Sequence, residues 1–453
     1  MTKLSLPTLF GDNAVFPKAL PIHVWGRSDV AGSATLSFPN GEERHADFVP
    51  EDGKFSVTLA PLDAYNEGGV LTVTAGDACY TAKNISVGIV ILAGGQSNME
   101  LMLKDVVRPY PLYPTSRLRF YTEKHAINEQ KEIIDKPMSD KWYAADGDKE
   151  MQFSAIGYFV AEHLSRALDV TVGVVSCNQG ASRIESWLSP MAEKKSGVPL
   201  PPLTQVDKGR YFNIENWLYH NKYLHIAEFS YDFVLWYQGE SNTGFAEGKY
   251  YGDYLHALIE EWRENNPNHA LPFYLVELAS FDSVLAGWAP EPLGAWAPVR
   301  EALVRASLTE KNVYTVSLTE NDNVAEIHPV NKYPLADKLF RAILTKEFGY
   351  DYEYTGPVLD RVTREGELLT LTFTHAEGLA FRPIGGDATP QDIYFTLHDE
   401  SRLPAQPTVS GNTLSVKIPE DAVSFALGYH NVPAHNLYNG SGYLASPFLV
   451  PLD

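Results

Sequence analysis

Three short polar runs, far apart in the chain, hold the residue types that acyl transfer requires. Gly94-Gly95-Gln96-Ser97-Asn98-Met99 carries a serine, Gln238-Gly239-Glu240-Ser241-Asn242 a carboxamide, and Glu326-Ile327-His328-Pro329-Val330-Asn331-Lys332 an imidazole. A serine hydroxyl is a poor nucleophile at its own pKa and needs a base within hydrogen-bond reach. An attacked ester carbonyl becomes an oxyanion, and preorganised N–H donors at its final position lower the barrier. A serine in the first helical turn after a strand sits among free backbone N–H groups, at the positive end of the helix dipole. Serine is equally common there as a plain N-cap, so the first run draws its weight from the other two. The chain has 13 histidines, and a lone histidine is more often a satisfied structural residue than a catalyst. The Ile-His-Pro-x-Asn-Lys setting is what singles out His328.

The elements that would position these residues are legible nearby. Ile85 through Ala93 is a bare apolar stretch ahead of the two glycines, which reads as a buried strand, a tight turn and a helix. Val234-Leu235-Trp236-Tyr237 repeats the pattern, and a helical spacing runs from Pro334 to Phe348. Between Val87 and about Gly349, strand runs such as Val170–Val175 and Phe273–Leu278 alternate with the amphipathic segments Ile156–Leu164 and Tyr254–Arg263. Such alternation implies an α/β fold with a mostly parallel sheet and helices on both faces. Ligands then bind beyond the carboxyl ends of the strands, where Ser97, Asn178-Gln179-Gly180 and Asn242 fall. Before and after lie short period-two strands with hairpin signals, Asn40-Gly41 and Asp52-Gly53 among them. The expected organisation is a β-sandwich over 1–84, a catalytic domain over 85–350 and a second β-sandwich over 351–453.

Composition narrows the function. A formal net charge of -21 argues against nucleic acid or an anionic membrane surface as partner. No apolar run approaches the ~20 residues of a membrane span. No secretory signal is read at the N-terminus, and Cys79 and Cys177 fall in different expected domains. A reduced, cytoplasmic setting is the economical expectation. There is no HExxH, Cys/His cluster or EF-hand loop, so no metal is expected. The Gly94-Gly95 turn lacks the spacing of a nucleotide-binding loop, so no cofactor is expected either.

The Gly-Gln-Ser-Asn-Met, Trp-Tyr-Gln-Gly-Glu-Ser-Asn and Ile-His-Pro-x-Asn-Lys runs resemble the sialate O-acetylesterase family, a branch of the SGNH-type (GDSL-like) hydrolases. The likeness covers nearly the whole chain. It implies a three-layer α/β/α catalytic domain with flanking β-sandwiches, and a carbohydrate esterase that removes acetyl groups through an acetyl-enzyme. Ser97 would be the nucleophile and His328 the base. The backbone N–H groups of Ser97 and Gly180 and the side chain of Asn242 would form the oxyanion hole. Gln96, Gln238 and Glu240 would support the site, and Arg183 would meet a sugar carboxylate or hydroxyl. Two departures stand out. Many SGNH hydrolases carry aspartate three residues before the histidine, where this chain has Ala325, and this branch tends to carry it two before, where it has Glu326. Glu326, Asp322 from the preceding loop, or a backbone carbonyl remain the alternatives for orienting His328. The Asn178-Gln179-Gly180-Ala181-Ser182 run also differs from the family's usual Gly-Gly-Thr/Ser. Trp187 and the Trp296–Glu301 run read as structural, while the Trp-, Pro- and Gly-rich loop from Phe281 to Trp296 reads as a sugar-site wall or a domain interface. The substrate is an O-acetylated sialic acid or an acetylated hemicellulose oligosaccharide, the acidic surface leaning toward the latter. A non-catalytic sugar-binding protein is the reading from another class.

Overall fold

The computed structural model describes residues 3–112, 115–123, 141–198, 210–243, 246–292, 294–320, 323–383, 385–386 and 388–452. The chain divides into two compact units: Met1–Gln238 with His256–Phe273 and Val330–Phe340, and Gly239–Leu255 with Tyr274–Pro329 and Arg341–Asp453.

The first unit is organised by one strand, Ala78–Gly95, 18 residues long. Its early half has exposed positions between covered ones, whereas every residue from Ile85 onward is buried. That change of pattern is a change of environment. The early half pairs antiparallel with Tyr65–Ala75, which pairs in turn with Gly32–Ser37. The later half is flanked on both sides by parallel neighbours, Val172–Asn178 and Phe233–Tyr237. A parallel strand covered on both faces needs an unbroken apolar run, and Val172–Asn178 is buried at all seven positions. The order across this part of the sheet is 143–145, 115–122, 172–178, 78–95, 233–237. The helix Ala155–Leu168 precedes strand 172–178 and is capped by Ser154, whose hydroxyl accepts the Gly157 N–H at 3.2 Å. The expected parallel core is therefore present, but the sheet is mixed. The apolar run of 85–93 and the alternating run before it belong to one continuous strand that carries antiparallel neighbours into the same sheet. The fold is mixed α/β.

The second unit holds the strand Phe273–Val276 from Tyr274 on, its neighbour Val313–Val316 and the helix Ala297–Thr309. Two four-stranded antiparallel sheets follow, in the orders 358–365, 368–374, 413–417, 408–410 and 402–404, 393–397, 422–427, 448–451. Both contribute to one apolar core that includes Leu371, Phe373, Leu414, Phe395, Phe425 and Phe448. Arg300, fully buried, holds this unit's loops together: its guanidinium donates to the carbonyls of Leu278, Ala279, His430 and Asn431 at 2.8 to 2.9 Å. A buried cation is tolerable when every lobe of the fork finds an acceptor.

His435 gives this unit a pH dependence. Burial pulls its imidazole pKa down to about 4, with Asp392 pulling the other way and His430 and Arg300 reinforcing the drop. The unfolded chain then takes up the proton first, near the ordinary value of about 6.5. Stability conferred by the neutral ring is complete above that pH and is lost as pH falls toward 4, by up to roughly 3 kcal/mol. Urea unfolding at pH 7 and pH 4.5 will show a larger loss for the parent than for His435→Leu; equal losses would refute the assignment.

Candidate active site

Gly95 is the geometric origin of the site. It pairs with Asn178 on one side and Tyr237 on the other, so three strands end at one level. Its φ is +136°, and a Cβ there would stand 2.1 Å from the Tyr237 carbonyl oxygen. Only glycine allows the chain to turn against its neighbour at this point. The next amide, of Gln96, donates to that same Tyr237 carbonyl at 2.9 Å. Ser97 then opens a single helical turn, Ser97–Glu100. This turn is pinned from below: Ser154 Oγ donates to the Met99 carbonyl at 2.6 Å, and the Ala155 N–H to the Leu101 carbonyl at 2.8 Å. The half-buried Ser97 is flanked by buried Gln96 and Asn98. The buried Lys332 ammonium donates to Asn98 Oδ1.

The loop after strand 172–178 runs beside Ser97, and its backbone is held at almost every residue. Lys222 Nζ donates to the Asn178 carbonyl at 2.6 Å, and the Gln179 N–H to the Gly95 carbonyl at 3.0 Å. Asn213 donates to the Ala181 carbonyl at 2.9 Å and accepts the Arg183 N–H at 2.8 Å. Gln238 Nε2 donates to the Ser182 carbonyl at 2.9 Å and reaches Gln96 Oε1 at 3.3 Å. A Cβ on Gly180 would lie 3.6 Å from Ser97 Cβ, which measures how close the loop comes to the serine. The Gly180 N–H itself donates to Glu100 Oε2 at 2.7 Å. Arg183 is drawn to Glu185 at 2.7 Å, both side chains largely covered. Trp187 is buried, its indole N–H on Ser182 Oγ at 3.0 Å, as a structural residue would be.

Electrostatics under this loop are set by burial. Desolvation lowers the pKa of fully buried Lys222, opposed by attraction to Glu100 and Glu123. Burial pushes the Cys177 thiol up to about 12 despite Lys222, which leaves it a protonated, inert core group.

In the second unit, Gly239 turns the chain with φ +139°, and a Cβ there would meet Val299 Cγ1 at 2.7 Å. The turn Glu240–Thr243 follows, closed by the Asn242 N–H on the Gly239 carbonyl at 2.9 Å and by Thr243 Oγ1 on the Glu240 carbonyl at 2.8 Å. Glu240 and Asn242 are buried. Further along, Glu326 Oε1 accepts the His328 backbone N–H at 3.0 Å, while the His328 ring Nδ1 stands 3.9 Å from the same oxygen. That is ion-pair distance, not a hydrogen bond. The segment carrying His328 is tethered by the Asp282 N–H on the Val324 carbonyl at 2.7 Å and by Ser280 Oγ on the Thr319 carbonyl at 2.5 Å. Asp322 lies outside the described residues. Among the described residues no cluster of three or more His, Cys, Asp or Glu side chains is arranged to hold a metal.

Thus Gln96, Ser97, Gly180 and Gln238 share one hydrogen-bonded frame in the first unit, and Glu326 sits with His328 in the second. Sequence reasoning missed Glu100, Lys222 and Asn213. Glu100 had a signal, since it lies three residues from Ser97 on the same turn; Lys222 and Asn213 act on backbone carbonyls and amides, which leave no motif.

Comparison with known proteins gives the class to which this mixed α/β fold, with its polar frame around a strand-end serine, belongs. Residues 87–329 match the family model for carbohydrate esterases described as sialic acid-specific acetylesterase. The chain belongs to that family and is a carboxylic ester hydrolase. It is 23% identical over 385 residues to the sialate O-acetylesterases of Pongo abelii and Homo sapiens, covering 77% of this chain and 72% of each relative. Its fold is similar to the crystal structure of a carbohydrate acetylesterase from Xanthomonas citri, with a TM-score of 0.83, 26% identity and full coverage of both chains.

Ala181 occupies the left-handed region, with φ +58°, where the family's usual second glycine would rest without strain. An L-residue there costs roughly 1–2 kcal/mol, of which glycine's greater unfolded-state entropy returns about 0.5–1. Ala181→Gly will raise the denaturation midpoint by up to about 1 kcal/mol of stability; a lowered midpoint in urea would contradict the strain.

Proposed function

We propose that this protein is a carbohydrate O-acetylesterase working through an acetyl-enzyme on Ser97. The carrying observation is the position of Ser97: first residue of a helical turn, at the end of a central strand, with the Gly180 loop packed against it and fixed along its backbone. The hydroxyl attacks the acetyl carbonyl. His328 takes the proton and returns it to the departing sugar oxygen, then activates the water that releases acetate. The Ser97 N–H and the Asn242 carboxamide receive the oxyanion. The Gly180 N–H joins them to the extent that Glu100 yields it, since that carboxylate is its acceptor here. Glu326 orients His328 chiefly through the backbone, its carboxylate being on the His328 N–H rather than on the ring.

Acetylated neutral oligosaccharides are the favoured substrates over O-acetylated sialic acids. Arg183, the cation best suited by its sequence position to meet a sugar carboxylate, is engaged by Glu185, and Glu100 adds negative charge beside the Ser97 turn. The net charge of -21 gives no long-range attraction for an anionic sugar. The sialate reading keeps the support of the relatives' names. Two free cysteines, Cys79 and Cys177, accord with a reduced, cytoplasmic setting.

Ser97→Ala will reduce hydrolysis of p-nitrophenyl acetate at least about a thousand-fold, and the parent will favour acetylated xylo-oligosaccharides over 9-O-acetyl sialic acid in kcat/KM. Near-full activity in Ser97→Ala would remove the mechanism, and a preference for the sialic acid would reverse the substrate assignment.

A further inference from the structure

The loop from Phe281 to Trp296 is built to display an aromatic ring. Asp282 Oδ1 accepts the backbone N–H groups of Val284 and Leu285 at 3.0 Å each. The Ala286 N–H closes onto the Asp282 carbonyl at 3.0 Å and the Trp288 N–H onto the Ser283 carbonyl at 2.8 Å. Ser283 Oγ accepts the Glu291 N–H at 3.1 Å, and Glu291 Oε2 accepts the buried Trp296 indole N–H at 2.7 Å. The backbone of this loop is therefore fixed at both ends. Yet three of its apolar side chains face water: Val284 is 59% exposed, Leu285 65% and Trp288 53%. The Trp288 ring is steadied by buried Phe281, with centroids 5.1 Å apart at 63°. Single exposed apolar residues need no explanation, but three within five positions on a fixed turn make a candidate binding surface.

Two observations say what covers it. The loop is joined to the segment that carries His328 through the Asp282 N–H on the Val324 carbonyl, 2.7 Å, four residues before the histidine. And the chain is a member of a carbohydrate esterase family, whose substrates present the flat C–H faces of pyranose rings, which aromatic faces receive well. A fixed tryptophan also offers contact area at small cost in side-chain entropy.

We propose that Trp288 is the stacking platform for a pyranose ring of the substrate, displayed by the loop that is tethered to the segment bearing His328. This rests on the carbohydrate reading above. It makes Trp288 a determinant of sugar affinity and leaves the ester chemistry to other residues. The test separates the two. Calorimetric titration of a partly acetylated xylo-oligosaccharide into the full-length Ser97→Ala protein measures sugar binding without turnover. Adding Trp288→Ala will weaken that binding about tenfold or more, and Trp288→Phe will restore most of it. In the active protein, Trp288→Ala will lower kcat/KM for the oligosaccharide through KM while p-nitrophenyl acetate, which has no sugar ring, is hydrolysed at the parental rate. Equal binding by Ser97→Ala with and without Trp288→Ala, or no binding by either, would overturn the platform. So would light scattering that shows a dimer lost in Trp288→Ala, since the patch would then face a second copy. Absence of Ser97-dependent p-nitrophenyl acetate hydrolysis would instead strike the esterase mechanism, and the titration would still decide the platform.

Discussion

The position of Ser97 depends on the close approach of two backbones at Gly95. With a Cβ excluded by the Tyr237 carbonyl only 2.1 Å away, this residue lets strand 78–95 stop level with strands 172–178 and 233–237. Each strand's exit loop then starts from a known height. Gln96 bonds back to Tyr237, and Gln179 bonds back to Gly95. Ser97 inherits its position from those bonds. A parallel sheet offers this arrangement at its carboxyl edge because strand spacing and register are already set by the ladder.

The polar groups around this edge form a network with high stakes. Gln96, Asn98, Gln238, Lys222 and Lys332 are all buried, and each holds a backbone carbonyl or another buried side chain. Such groups cost free energy when left unpaired and rigidify the structure when satisfied. The loop 178–183 shows the consequence: it tolerates a left-handed alanine at 181 because its neighbours over-determine its path. Glu100 adds tension of another kind. A carboxylate on the Gly180 amide is a good hydrogen bond and, on the mechanism proposed above, also an anion beside the oxyanion. On that mechanism, fixing the loop and sparing its amide are competing demands on Glu100.

How far the sequence spoke depends on which groups did the work. The strand before Ser97 was readable because a doubly covered strand is a near-continuous apolar run, and Val87–Ala93 has no polar side chain. That the same strand begins at Ala78 was not readable, since its first half alternates like an ordinary hairpin strand and carries a left-handed residue, Asn84, at the change. The mixed character of the sheet follows from that continuity. Gln96 and Gln238 stood in recognisable runs, and the structure joins them at one shared contact. Lys222 and Asn213 were silent, because side chains that hold backbone atoms obey no spacing rule. Glu326 lay two residues from His328, but which of its bonds it makes, to the amide or to the ring, is a matter of ångströms that no sequence carries.

The central claim is that Ser97 is a nucleophile activated by His328. An alkyl fluorophosphonate reacts with a serine only when a base assists it, and peptide mass spectrometry locates the adduct. The account predicts modification at Ser97, slowed on the order of a hundred-fold or more in His328→Gln, with that variant still folded. An adduct on a different serine, or labelling of Ser97 at an unchanged rate without the imidazole, would contradict it.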